Sequence, residues 1–303
     1  MANPRLIKKR VGSIKNIGKI TKALEMVSAS KIQKAQNKAI SAKPYALAIY
    51  ELIGNLSGDS EIAGIPLMRQ SGEVRNDLYI LISTNRGLAG SLNTNLFRKI
   101  EVYIGGKSEA NHHFITIGKK GRNYALANGT LEADLSSEKE SGTIIAAITN
   151  IITDGFIGEK FDEVYIVYSD FITALTQSPT IKKILPIERK VLKEEVEAGT
   201  FDIVGREGEK RSDTLAEKTN YYYEPDPVTV LSNLLPFYLE IQIAEALFEA
   251  EASEHSARMI AMKNASDNAS ELSGGLALLY NKARQAAITT EISDITTAQA
   301  TLR

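Results

Sequence analysis

The chain has 303 residues, 43% apolar and 24% charged, with a formal net charge of −1, three histidines and no cysteine. That content is enough for a real core in one large domain or two modest ones. The missing cysteine excludes a disulfide scaffold, a thiolate zinc site and a cysteine nucleophile, and His112, His113 and His255 lack a ligand-type spacing to carboxylates, so neither a metal nor a cofactor is expected. No apolar run reaches the roughly 18 to 20 residues of a membrane span, and "SGTIIAAITNIITDGFIG" is broken by Thr, Asn, Asp and Gly, so the chain is expected to be soluble by itself.

The first 38 residues carry ten Lys and Arg against a single acid, Glu25, whereas residues 226–303 carry five against ten acids. Such asymmetry points a basic arm toward an acidic partner. The arm is also an amphipathic helix. Ile7, Val11, Ile14, Ile17, Leu24 and Val27 recur by three, four or seven, with Lys8, Lys15, Lys19 and Lys22 on the other faces. The pattern continues through Ala35, Ala39, Ala42, Ala46, Ile49, Ile53 and Leu56 as a heptad seam, giving one helix of about 50 residues, on the order of 75 Å. Pro44 lies inside it and is expected to bend it locally. A basic, acid-poor start also suits an organelle transit segment, but the heptad runs across any plausible cleavage point. Nucleic acid is a poorer partner than protein, because the helix offers few Arg and its continuous apolar stripe needs a protein cover.

The middle of the chain has another texture. "DLYILIST", "HHFITIG" and "FDEVYIVYSDF" are apolar, β-branched and aromatic runs of strand length. They alternate with the helical stretches "LNTNLFRKIEVYI" and "TIIAAITNIITDGF", the rhythm of a mostly parallel sheet covered on both faces. "PTIKKILPI" reads as an edge strand because Pro186 cannot donate to a ladder. Residues 187–220 read as a charged, Gly-containing loop without an assignable role.

An α/β domain raises the question of a nucleotide site. "STNRGLAGSLN" follows a strand and opens a helix, but supplies only Gly87 and Gly90 of the G-x-G-x-x-G pattern. "GGKS" at 105–108 lacks the glycine a phosphate loop needs five residues before Gly106, where Glu101 stands. A helix-capping turn explains the glycines equally well. No Ser-His-Asp set can be assembled from order or spacing.

After Pro225 and Pro227 a second stripe begins: Leu234, Tyr238, Ile241, Glu245, Phe248, Ala252, His255, Met259 and Met262, then Ala269, Leu272, Leu276, Leu279, Ala283 and Ala286. It predicts a helix of about 60 to 70 residues, interrupted at Gly274 and Gly275 at about 1 kcal/mol each. Two long seams at opposite ends of one chain bury each other most simply as an antiparallel coiled coil, with His255 packed in the seam. The fold class is therefore α+β overall, with a coiled coil of the two termini and an inserted Rossmann-like domain. The expected boundaries are 1–58, 59–226 and 227–303.

"IKKRVGSIKNIGKITKALEMVSASKIQKAQ", "STNRGLAGSLN" and "ASEHSARMIAMKNASDNASELSGGLALLYNKARQAAITTEISDI" resemble the gamma subunit family of F-type ATP synthases, most specifically in "YNKARQAAITTE". The family signature usually finishes with Gly-Ala, where Ala298 and Gln299 stand. The resemblance implies a non-catalytic axle. Its C-terminal tip turns inside the ring of alpha and beta subunits, its foot meets the epsilon subunit and the c-ring, and it couples proton transport to ATP synthesis. It further implies that Arg284 and Gln285 grip a carboxylate-bearing catch loop of a beta subunit, a task suited to the bidentate Arg fork, with Thr289 and Glu291 extending the contact. Lys8, Lys9, Lys19 and Lys22, with Leu24, would face acidic beta-subunit loops. Shallow tip residues, Ala283, Ala286, Ala287, Thr289, Thr290 and Ser293, suit a shaft in a bore, since each buried Leu or Phe released would add roughly 1.5 to 3 kcal/mol to a step. With no extension ahead of the helix, the cytoplasmic face of a bacterial membrane is expected rather than an organelle, with membrane attachment only through partners. A nucleotide-dependent enzyme with a helical dimerisation hairpin and a coiled-coil scaffold unrelated to rotation are the competing readings.

Overall fold

The computed structural model describes residues 4–56, 65–70, 74–107, 110–188 and 223–301; most of the charged 187–220 stretch lies outside them. Helix α1 spans Pro4–Leu56 and runs on through Pro44. A 3-10 turn, Pro66–Met68, leads to β1 (Asn76–Ile82), α2 (Leu92–Gly105), β2 (Asn111–Ile117), α3 (Lys119–Asn128) and β3 (Thr130–Asp134). Then come α4 (Ser141–Ile157), β4 (Glu163–Phe171) and β5 (Gln177–Leu185), and the chain ends in α5, Pro227–Thr301. At 75 residues α5 is longer than predicted, and it passes through Gly274 and Gly275 without a break. No helix among the described residues is long and apolar enough to cross a membrane.

The strands form one sheet in the order β3-β2-β1-β4-β5. β1 pairs in parallel with β2 and β4, β2 in parallel with β3, and β5 antiparallel with β4. Pairing by the period of two sends Leu78, Ile80, Ile82, Ile115, Ile117, Val164 and Ile166 to one face, where they meet Ile148, Ile152 and Phe156 of α4. Tyr79, Leu81, Phe114, Tyr165 and Val167 point the other way, onto Leu96 and Ile100 of α2 and Ala125 of α3. Burial on both faces is what makes β1 and β4 read as continuous apolar runs. Two elements had no such signal. β3 is five residues with no fully buried side chain, and α3 buries only Gly121 and Ala125. The predicted edge strand is present, but it stops at Leu185, before Pro186, and the proline it carries is Pro179.

The chain divides into two compact units, residues 30–257 and residues 1–29 with 258–303. In the larger unit α1 and α5 run antiparallel beside the sheet. Lys38 pairs with Glu251 at 3.1 Å, Gln242 donates to the Tyr50 hydroxyl, and the Tyr50 and Tyr238 rings meet edge to face at 5.8 Å. Ala35, Ala39, Ala46, Ile49 and Ile53 are buried, as the heptad requires, and His255 is packed at 7% exposure.

In the smaller unit the seam is shifted from the predicted stripe. Ile17 and Val27 are more than half exposed, and Gly18, Thr21 and Ser28 take the covered positions. Likewise Leu272 and Leu279 are exposed at 58% and 56%, while Ser273 is buried. The heptad carried back from Ala39 and Ala35 passes through Thr21 and Ser28, so register overrides residue apolarity. Each buried hydroxyl is satisfied within its own helix: Thr21 donates to the Gly18 carbonyl at 3.0 Å and Ser28 to the Leu24 carbonyl at 2.8 Å. The small side chains allow close approach. A Cβ at Gly18 would stand 3.4 Å from that of Ala269, and Ser266 donates to the Gly18 carbonyl at 3.5 Å.

Candidate interaction surfaces

Three surfaces carry the chemistry: the basic start of α1, the end of α5, and the carboxyl edge of the sheet. On α1, Lys8, Lys9, Lys19 and Lys22 are exposed and Leu24 is half-buried. Lys22 is already engaged, at 2.9 Å from the Glu25 carboxylate one turn on. This neutralises the only acid of the arm and leaves the remaining lysines as a uniformly positive face. The same helix exposes Leu6, Ile17, Ile20, Met26 and Val27, each by more than half.

From Arg284 through Thr297 every α5 side chain is exposed. Arg284, Gln285, Thr289 and Glu291 lie within this stretch. The Arg284 guanidinium lies 5.9 Å from the Tyr280 ring centroid, a cation–π contact one turn back. Thr289 and Thr290 return their hydroxyls to the Gln285 and Ala286 carbonyls, both at 3.0 Å. The expected shallow face is present in Ala286, Ala287 and Ser293, but beside it Ile288, Ile292 and Ile295 form an exposed apolar stripe. Their spacing of four and three was available in the sequence. It was hidden by the abundance of small residues around it.

At the carboxyl edge, the turn after β1 was the one phosphate candidate. Leu88 and Gly90 adopt left-handed φ of 67° and 58°. The Thr84 hydroxyl donates to the Arg86 carbonyl at 2.8 Å, and Asn93 from α2 donates to that hydroxyl at 2.7 Å. The start of α3, the neighbouring helix N-terminus at this edge, is capped by the same turn. The amides of Lys119, Lys120 and Gly121 donate to Asn85 Oδ1, the Thr84 carbonyl and Ser83 Oγ at 3.2, 3.2 and 2.7 Å. Gly118, at φ +94°, permits this closure, since a Cβ there would lie 2.1 Å from the Ser83 carbonyl oxygen. "GGKS" is likewise not a phosphate loop. Lys107 turns to the opposite edge of the sheet and bonds to Glu163 at 2.7 Å, the Tyr165 hydroxyl at 2.6 Å and Asp77 at 3.2 Å.

That cluster was not foreseen, because Asp77 and Glu163 each merely precede a strand core in the sequence. Asp77 is fully buried and also accepts from the Tyr79 hydroxyl at 3.1 Å. Glu163 also pairs with Lys183 at 3.1 Å. Burial works against the Glu163 charge, but the hydrogen bonds from Lys107, Tyr165 and Lys183 outweigh it and hold the carboxyl down at about 2. Lys107 bridges Asp77 and Glu163 while Lys183 pairs with Glu163, so the cluster ties β1, β4 and β5 together. Among the described residues no group of His, Asp and Glu could hold a metal ion.

A family model described as ATP synthase matches residues 3–302. The ATP synthase gamma chain of Roseiflexus sp. is 39% identical, covering 100% of this chain and 99% of its own length. That of Akkermansia muciniphila is 37% identical, covering 98% of each. Among solved structures, a chain of the Euglena gracilis mitochondrial ATP synthase OSCP/F1/c-ring assembly has a TM-score of 0.62 at 19% identity, over 99% of this chain and 94% of that one. A chain of the rotor from the same organism has a TM-score of 0.59 at 20% identity, over 94% and 98%. Full-length identity near 40% and the shared fold, an antiparallel helix pair around a five-stranded sheet, lead to one conclusion: this chain belongs to the ATP synthase gamma chain family.

Proposed function

We propose that the chain is the non-catalytic central shaft of its ATP synthase, transmitting rotation of a membrane c-ring to the catalytic beta subunits. The observation that carries this reading is the C-terminal part of α5, where fourteen consecutive side chains, Arg284 through Thr297, are all exposed and present Arg284, Gln285 and an isoleucine stripe together. Exposed isoleucines along such a helix suit a partner that surrounds it. The alpha–beta hexamer bore supplies that surround. The Arg284 and Gln285 head groups grip a beta-subunit loop through a carboxylate, with Thr289 and Glu291 beside them, and the alanines and isoleucines slide against apolar wall.

The segments divide the labour as 1–58 and 227–303 for the shaft and 59–226 for the body that meets epsilon and the c-ring. Lys8, Lys9 and Lys19, with Lys22 and Leu24, attract acidic loops at the base of the beta subunits. Attraction between exposed charges acts over about 10 Å without fixing a single geometry, which suits a surface visited at successive angles. Attachment to the cytoplasmic face of a bacterial inner membrane is peripheral, through the c-ring. Replacing Lys19 and Lys22 together by Glu is expected to lower ATP-driven proton pumping while the assembled complex is still recovered. Unchanged pumping per ATP hydrolysed would refute the role given to the lysines. The shaft assignment itself is tested by affinity purification of the full-length chain, which should bring down alpha, beta and epsilon subunits in fixed ratio and lose alpha and beta when residues 281–303 are removed.

A further inference from the structure

Where β4 and β5 lie against α5, the packing buries the Glu249 carboxyl, for which no ion pair stands among the described residues. Glu249 is 7% exposed, and its Oε2 has no hydrogen-bond partner among the described residues. The groups facing it are Tyr168 and Asp170 from β4, Lys182 from β5 and Glu245 one turn back on α5. The Tyr168 hydroxyl donates to the carboxyl, so one oxygen is served and the other is not. α1 contributes Lys38 nearby, but that ammonium is held by Glu251. One turn further along α5, Ser253 is fully buried, and its Oγ also has no hydrogen-bond partner.

An ionised Glu249 would place a third negative charge beside Glu245 and Asp170, with an oxygen deprived of both water and donor, an expensive arrangement in an apolar setting. A neutral carboxylic acid removes the repulsion. It also turns the unserved oxygen into a donor, and the i, i+4 spacing puts the Ser253 hydroxyl on the same helical face as an acceptor.

We propose that Glu249 is a proton-binding site of the folded chain, carried as the neutral acid at neutral pH, and that losing its proton loosens the β4–β5 pair from the C-terminal helix. The electrostatics agree in direction. Burial first, then the charges of Glu245 and Asp170, push the carboxyl up to about 9, against the opposing Tyr168 hydrogen bond and Lys182. The hairpin tip is tied to the same helix by the Ser256 hydroxyl, which donates to the Ala174 carbonyl at 2.6 Å. Deprotonation therefore acts on a joint between sheet and helix.

Two measurements on the full-length chain in its assembled complex test the proposal. Infrared difference spectra at neutral pH between wild type and Glu249→Gln should contain one protonated-carboxyl band that belongs to the wild type. Amide hydrogen exchange over residues 165–185, corrected for intrinsic rates, should accelerate about tenfold more in wild type than in Glu249→Gln between neutral pH and pH values above about 9. Absence of the band, or parallel acceleration in the two proteins, would overturn it. Should Glu249→Gln fail to assemble, Glu249→Met provides the same non-ionising comparison.

Discussion

Across β2, β1 and β4 the buried face is a row of rings, with Tyr79 centred 5.6 Å from Phe114 and 5.4 Å from Tyr165. Along the helix pair of residues 4–29 and 258–301, the most buried positions are instead Thr21, Ser28, Met262, Ala269 and Ser273. The first region gains stability from large area and from charges that cannot be separated without leaving one unpaired. The second gains little per residue, and holds its register by small side chains that let two backbones approach. One region is built to resist rearrangement and the other to keep a slender, uniform section. They should therefore respond very differently to single substitutions.

The largest effect is expected at Lys107. Lys107→Ala strands fully buried Asp77, while Glu163 keeps Lys183, and should cost about 3–5 kcal/mol, read from the urea midpoint of the full-length chain. Gly118→Ala comes next, because both its φ of +94° and the 2.1 Å approach to Ser83 oppose a side chain; about 1–3 kcal/mol is expected, with faster amide exchange at the start of α3. The third contrast is acid sensitivity. The Glu163 carboxyl sits near 2 in the fold, below its ordinary value of 4.5, so its stabilisation is complete above about pH 4.5 and is lost as pH falls through 2. Glu163→Gln should lower stability at neutral pH and flatten the decline of Tm between those limits; an unchanged slope would remove Glu163 from the lock. Smallest, and of opposite sign, is Gly18→Ala. The added Cβ meets Ala269 at an ordinary 3.4 Å and gains helix propensity, so Tm should rise by the equivalent of up to about 1 kcal/mol. A loss there would mean that the seam is tighter than the small residues indicate.

The same contrast governs how much could be read before the fold was known. Both long helices were legible because a period sustained over dozens of residues averages out local exceptions, and the strands from Asp77, His112 and Phe161 onward were legible because burial on two faces leaves apolar runs. The seam register in the smaller unit was misread at Ile17, Val27, Leu272 and Leu279. There the apolar residues point outward, and the true seam at Gly18, Thr21, Ser28 and Ser273 has no hydrophobic signature. Outward isoleucines and leucines on a helix mean either error or a partner, and a single sequence does not distinguish them. β3 and α3 were lost because they bury almost nothing. For the candidate surfaces, composition located the basic arm, and the resemblance supplied Arg284 and Gln285. The Asp77–Lys107–Glu163 lock and the Glu249 pocket join residues from separate elements, which no local window brings together.

The closed turn after β1 has a consequence for life in the complex. A subunit of an ATP synthase works among adenine nucleotides, and the doubly wound sheet it carries is an architecture that elsewhere holds such ligands at this edge. Here Ser83, Thr84 and Asn85 supply the oxygens that accept from the α3 amides, so the N–H groups a phosphate would need at that helix start are engaged within the fold. A phosphate arriving at the start of α3 would have to displace these three internal acceptors before it could be held there.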